Sequence, residues 1–152
     1  LAGYDLNAST KVSEVLHIAV QVTTNAERNE LVLTVPEFLP ADYMLIPEGA
    51  THVRFILAGM ALSDFAPVGP KNKYKATNQA QHGLFAAQVG TLLPVSDVVT
   101  GGVTMTVNLP GTPVLDSDVS LAALLGIEFL QEVNGQVYSF ASNNAIRIER
   151  LF

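Results

Sequence analysis

The chain is 152 residues long, 49% hydrophobic and 14% charged. That is a core-rich composition outside the disordered class, sized for one domain that buries roughly 70% of its unfolded surface. Its 8 Lys and Arg stand against 14 Asp and Glu, a net charge of −6, which makes it a poor candidate for binding nucleic-acid phosphate backbones, since these demand clustered cations. It has no Cys, which excludes disulfides, thiolate nucleophiles and Cys-ligated metal sites.

Leu1 opens the chain without a signal-peptide pattern, as expected of a processed product or an excised domain. No run of 18 apolar residues occurs, so no membrane span is expected. From there, period-two alternation dominates. In "LHIAVQV" Leu16, Ile18, Val20 and Val22 share one face, which predicts a strand. "NAERN" is a turn cluster, and "ELVLTV" follows with Leu31, Leu33 and Val35 inward. Pro36 and Pro40 close that strand, since neither donates to a ladder. "THVRFILAGMAL" sets Val53, Phe55 and Leu57 against His52, Arg54 and Ile56. "SDFAPVGPKNKYK" is the clearest break, and "YKATNQAQHGLFAAQV" is read as a strand although it matches neither period well. "GGVTMTVNLPG" gives a strand with Val103, Met105, Val107 and Leu109 on one side.

"SLAALLGIEFLQEVNGQVYSF" is read as mostly strand running into a hairpin. Asn134-Gly135 suits a two-residue type I′ turn, whose central residues both need positive φ. That turn predicts Val133 opposite Gln136, Gln131 opposite Tyr138, and Phe129 opposite Phe140, the last a cross-strand aromatic pair. Ile127, Phe129, Val133, Tyr138 and Phe140 then form the apolar face, with Glu128, Leu130 and Glu132 opposite. "AIRIERLF" resumes the pattern with Ile146 and Ile148 expected inward. About seven strands without an amphipathic helix predict an all-β fold: a single antiparallel β-sandwich, immunoglobulin-like, over residues 1–152.

Chemistry is thin. His17 and His52 occupy polar strand positions and His82 precedes Gly83, with no metal-binding spacing among them, so solvated or satisfied histidines are expected. Asp116 and Asp118 flank Ser117, but Val119-Ser120-Leu121 lacks the further ligands of a calcium loop. Glu128 and Glu132 share a polar face and read as solubilising charges rather than an acid–base pair. Lys71, Lys73 and Lys75 alternate, which fits an edge protected from pairing better than an anion patch. Asn7-Ala8-Ser9 fits the glycosylation acceptor pattern. No serine-hydrolase elbow, phosphate-binding loop or dinucleotide fingerprint is present, so no catalytic residue, cofactor or metal is expected.

"LAGYDLN", "IPEGATHVRF" and "LGIEFLQEVNGQVYSF" together resemble a bacterial family common in Bacteroidetes, whose members have no assigned activity. Its longer chains carry a basic amino-terminal part, so the resemblance implies a carboxy-terminal domain here. It implies no site residue. The function expected is non-enzymatic: a structural or protein-interaction domain, as in a surface or filament subunit, with a protein partner or self-association. The compartment is open, with a cell-surface or extracellular setting favoured. The alternative is a carbohydrate- or peptide-binding module, for which Tyr43 and Tyr74 are the candidate ligand contacts; Tyr4 and Phe65 also fall in loop positions. The absence of Trp counts against sugar binding.

Overall fold

The computed structural model describes residues 1–70, 73–140 and 143–152. In chain order they form β1 (Tyr4–Asp5), α1 (Val12–Val15), β2 (Gln21–Thr24), β3 (Glu30–Val35), α2 (Pro40–Tyr43) and β4 (His52–Ser63). Then follow β5 (Phe65–Val68), β6 (Lys73–Ala76), β7 (Phe85–Val89), β8 (Leu93–Pro94), β9 (Val103–Asn108), β10 (Val119–Val133), β11 (Gln136–Ser139) and β12 (Ala145–Leu151). The larger sheet runs β1-β12-β10-β4-β7, with β11 extending the β12 side of β10 and β8 the β7 side of β4. The smaller sheet runs β2-β3-β9, and β5 with β6 makes a separate ribbon. All ladders are antiparallel. The expected all-β sandwich is therefore present, with more and shorter strands than the alternation suggested.

Its spine is the β4–β10 pair, in register from Val119 opposite Ser63 to Leu130 opposite His52. Val53, Phe55 and Leu57 on β4, and Leu121, Leu125, Ile127 and Phe129 on β10, are fully buried against Leu31, Leu33 and Val35 of β3. Gly59 has a packing reason. A Cβ there would stand 3.0 Å from the Leu31 Cδ1, so the small residue lets the sheets close up. Phe38 meets Phe55 edge to face with ring centroids 6.2 Å apart, a favourable aromatic geometry. Under β12, beyond the smaller sheet, α1 closes the core with Val12 and Val15. Its first N–H groups are met in part by the Asp5 carboxylate, which accepts from Val12 N at 3.0 Å.

The hairpin has the register expected from Asn134-Gly135: Val133 pairs Gln136 and Gln131 pairs Tyr138. Both turn residues have positive φ, 51° and 75°. Beyond Leu130, however, the hairpin projects past the core, leaving Val133 and Tyr138 exposed despite their apolar alternation. Phe140 stands opposite Phe129 as expected, its N donating to the Phe129 carbonyl at 3.1 Å, and packs against the core; the edge-to-face ring pair of the core is Phe38–Phe55. Two other readings are corrected. The strand expected from Leu16 begins only at Gln21, because Leu16 ends α1 and makes an isolated bridge to Met44. In the 74–89 stretch only the two ends are strand, with a turn between Thr77 and Leu84.

In β12 the isoleucines expected inward face the other way. Ala145 pairs Ile127 and so faces the core, whereas Ile146 pairs Gly126 and Ile148 pairs Leu124, facing outward. Alternation in β12 fixed which residues share a face but not which face is the core, because both faces of this sheet are apolar. On the inward side the sheet ends with Arg147 and Glu149, paired through Nε and Oε2.

Candidate functional site

Because partners across an antiparallel ladder share a face, the register assembles the outer surface of the larger sheet row by row. One row reads Val89, Ile56, Gly126, Ile146 across β7, β4, β10 and β12. The next reads Ala87, Ala58, Leu124, Ile148 and, on β1, Tyr4. A third reads Phe85, Met60, Ala122, Leu151. No charged residue interrupts them. Phe85, Val89 and Tyr4 are 53%, 52% and 60% exposed, while Ala58 and Ala122 are shielded by the larger side chains around them. Apart from its own ladders, the larger sheet packs against β3, β9 and α1, all on its inner side. None of these three lies over the outer rows.

The smaller sheet shows what a solvated face looks like in this molecule. There the outward rows read Gln21, Thr34, Thr104 and Thr23, Val32, Thr106. One outer face of the sandwich is mostly Thr and Gln, with Val32 among them; the rows of the other are Ile, Leu, Met, Phe, Val, Ala, Gly and Tyr. At strand spacings of about 4.8 Å and row spacings of about 6.7 Å, the apolar rows cover roughly 500 Å². That is the size at which the largest apolar patch of a monomer is often functional.

At Gly126 the face dips. With no side chain between Ile56 and Ile146, a shallow depression of about 290 Å³ opens, rimmed by Asn7, Glu128 and Asn144. A Cβ on Gly126 would approach the Ile56 Cβ to 3.1 Å, so any larger residue would fill the hollow at the expense of its neighbour. Apolar floors with a few polar groups on the rim accept a side chain from a partner.

A polar band closes this end of the face. The Arg54 Nε donates to Glu128 Oε2 at 2.6 Å, and the Ser139 hydroxyl donates to the other carboxylate oxygen. Glu128 is thus a paired group rather than the free solubilising charge expected from sequence. Burial pushes its carboxyl up, but the bonds from Arg54 and Ser139 and the Arg54 charge outweigh that and hold it below its ordinary value. Since the folded-state value lies below the unfolded one, the contribution is complete above the unfolded value and is lost as pH falls through the folded one. Glu128→Gln should therefore cost about 1 kcal/mol at neutral pH, the pair being part-buried but still reached by solvent. In urea titrations this difference from the native chain should shrink as the pH falls below the ordinary carboxylate range and the Glu128 carboxyl takes up its proton. A difference unchanged in acid would mean that charge is not its source.

The other residues singled out from sequence are scattered. The His17 Nε2 lies 3.1 Å from the Glu14 carbonyl oxygen on an exposed turn. His52 bonds the Thr51 hydroxyl and approaches Glu132 at 3.7 Å, and His82 accepts from Ser63 N and stacks edge-on with Phe65. Asp116 and Asp118 bind Asn78 and the Thr77 hydroxyl, which ties the 77–84 turn to the 114–118 segment. Lys73 and Lys75 are exposed on β6, and Lys71 lies outside the described residues. Asn7 is half-buried, its Nδ2 donating to the Asn144 carbonyl at 2.6 Å. Tyr43 ends α2, on the chain leading into the His52 end of β4, while Tyr74 sits on the ribbon beyond the Ser63 end. The two are exposed and not brought together. Among the described residues no three His, Asp or Glu side chains converge as a metal cluster, and no helix is long and apolar enough to cross a membrane.

No protein-family model, curated protein or solved structure matches this chain. Its functional reading rests on the surface just described. Sequence reasoning missed that surface, yet a signal was there. "FILAGMAL" and "SLAALLGI" are nearly continuous apolar runs, the pattern of strands buried on both faces rather than one.

Proposed function

We propose that this domain is a non-enzymatic protein-interaction or structural module, a bacterial domain of the immunoglobulin-like sandwich type. Its working surface is the outer face of the larger sheet. The observation that carries this reading is the contrast between the two outer faces: Thr and Gln rows on the smaller sheet, uncharged apolar rows on the larger. Apolar rows that remain part-exposed at their centre and exposed at Phe85, Val89 and Tyr4, on one side of an otherwise conventionally patterned sandwich, favour a partner that covers them. The carbohydrate- or peptide-binding alternative would use Tyr43 or Tyr74, which are exposed at opposite ends of β4 and away from these rows.

A photo-crosslinking amino acid placed singly in the protein within its source cells tests the reading. At Ile56 or Ile148 it should yield a discrete protein adduct, and at Thr104 or Thr34 none. Equal yields from both faces would remove the basis for assigning the larger sheet as the docking surface.

A further inference from the structure

The larger sheet ends at β7, and the backbone of that strand alternates between two partners. Gly90 N donates to the Phe55 carbonyl at 2.8 Å. Stepping back by twos through the register, Gln88 bonds Leu57 and Ala86 bonds Gly59. Phe85, Ala87 and Val89 consequently direct their N–H and C=O groups away from β4. No hydrogen bond from a described residue reaches them. The strand reads Phe-Ala-Ala-Gln-Val, without a charge, a proline or a bulge, three of the devices that protect an edge. Its outward side chains, Phe85, Ala87 and Val89, are all exposed.

That strand is also self-complementary. Turned about a two-fold axis through Ala87, it places Ala87 opposite its own mate and Phe85 opposite Val89 of the second copy. The outcome is a pair of small residues flanked on both sides by aromatic–β-branched pairs, a favoured cross-strand combination. The outward N–H and C=O groups of the three residues then meet those of the mate, as an isologous interface requires. With no charged side chain on the strand, no like-charge repulsion arises across the axis.

We infer that β7 is a homodimerisation edge, at which a second copy of this chain adds antiparallel through Phe85–Val89 to make one sheet spanning both molecules. The apolar rows of the two copies become continuous across the junction, doubling the docking face. The inference rests on the interaction reading for its purpose but concerns a different surface, so either can fail alone.

Light scattering after size exclusion, over rising concentrations of the intact chain, should show the mass moving from one chain to two. Ala87→Cys then introduces the sole thiol of the molecule at the two-fold. In a bonded antiparallel pair the facing Cα atoms are about 5.5 Å apart, inside the reach of a disulfide, and mild oxidation should give a linked dimer. Gln88→Cys should not link, because the two Gln88 Cα atoms would be roughly 8 Å apart. Ala87→Pro, which removes an outward donor and no β4 bond, should stay folded by circular dichroism and run as a monomer. A native chain that is monomeric throughout overturns the inference, and so does a dimer that survives Ala87→Pro or one in which Gln88→Cys links as readily. If the proline variant does not fold, the cysteine pair decides. A strand supplied by a different protein would leave the native chain monomeric and Ala87→Cys unlinked, while the photo-crosslinks from Ile56 and Ile148 would persist.

Discussion

Deleting residues 145–152 should leave no folded monomer. In the structure β12 is an interior strand, pairing β10 on one side and β1 on the other, and β1 has no other ladder. Its last residue closes the edge: Phe152 and Leu121 exchange both backbone hydrogen bonds at 2.9 Å. Arg28 fastens the same corner from the smaller sheet's side, its guanidinium donating to the Leu115 carbonyl at 3.0 Å and the Asp116 carbonyl at 2.7 Å, and more weakly to that of Phe152. Arg150 stacks over the Phe152 ring. Truncation therefore strips the β10 edge from Leu121 to Ile127, orphans β1 and uncovers Ile127 and Leu125 at one stroke. Set against a total stability of about 5–15 kcal/mol, that loss is not survivable. Far-ultraviolet circular dichroism of the truncated chain should lack a strand signal and a cooperative melt. A truncated domain that stays folded but no longer associates would show instead that the strand works between molecules.

The elements most legible in the sequence were those with one wet face. "ELVLTV" and "VTMTVN" alternate cleanly because Thr faces water and Leu, Met or Val faces the core, and both strands form as expected. The Asn134-Gly135 hairpin was readable because its turn fixes register locally. What failed was orientation. In β12 the isoleucines were assigned inward on the rule that apolar means core, but Ala145 and the Arg147–Glu149 pair hold the inner side there. The rule breaks where a sheet is apolar on both faces, and the place where it broke is the candidate site. Short ladders such as β1, β8 and the β5–β6 ribbon carry too few residues for any period to show. Glu128 looked like a free charge because its partner, Arg54, is 74 residues away in sequence.

Phe129→Ala should be the most damaging single substitution on β10, lowering stability by about 3–5 kcal/mol, the range for a truncated buried aromatic. The ring is completely buried, between Val53 across the ladder and the residues of the opposite sheet. Its backbone is engaged as well, donating to Asn144 Oδ1 at 3.0 Å and accepting from Phe140 N at 3.1 Å, so the strand cannot slide to refill the cavity. In a domain of this size the melting midpoint should fall by roughly 10 °C. The comparison with Glu128→Gln, next in sequence and expected to cost about 1 kcal/mol, turns the measurement into a test of orientation. If Phe129 faces inward, then Gly126, Leu124 and Ala122 must face outward with Ile56, Ala58 and Met60, since the side-chain period of a strand is two. Equal midpoints for the two variants would undo the inward assignment of β10, and the apolar docking face would fall with it.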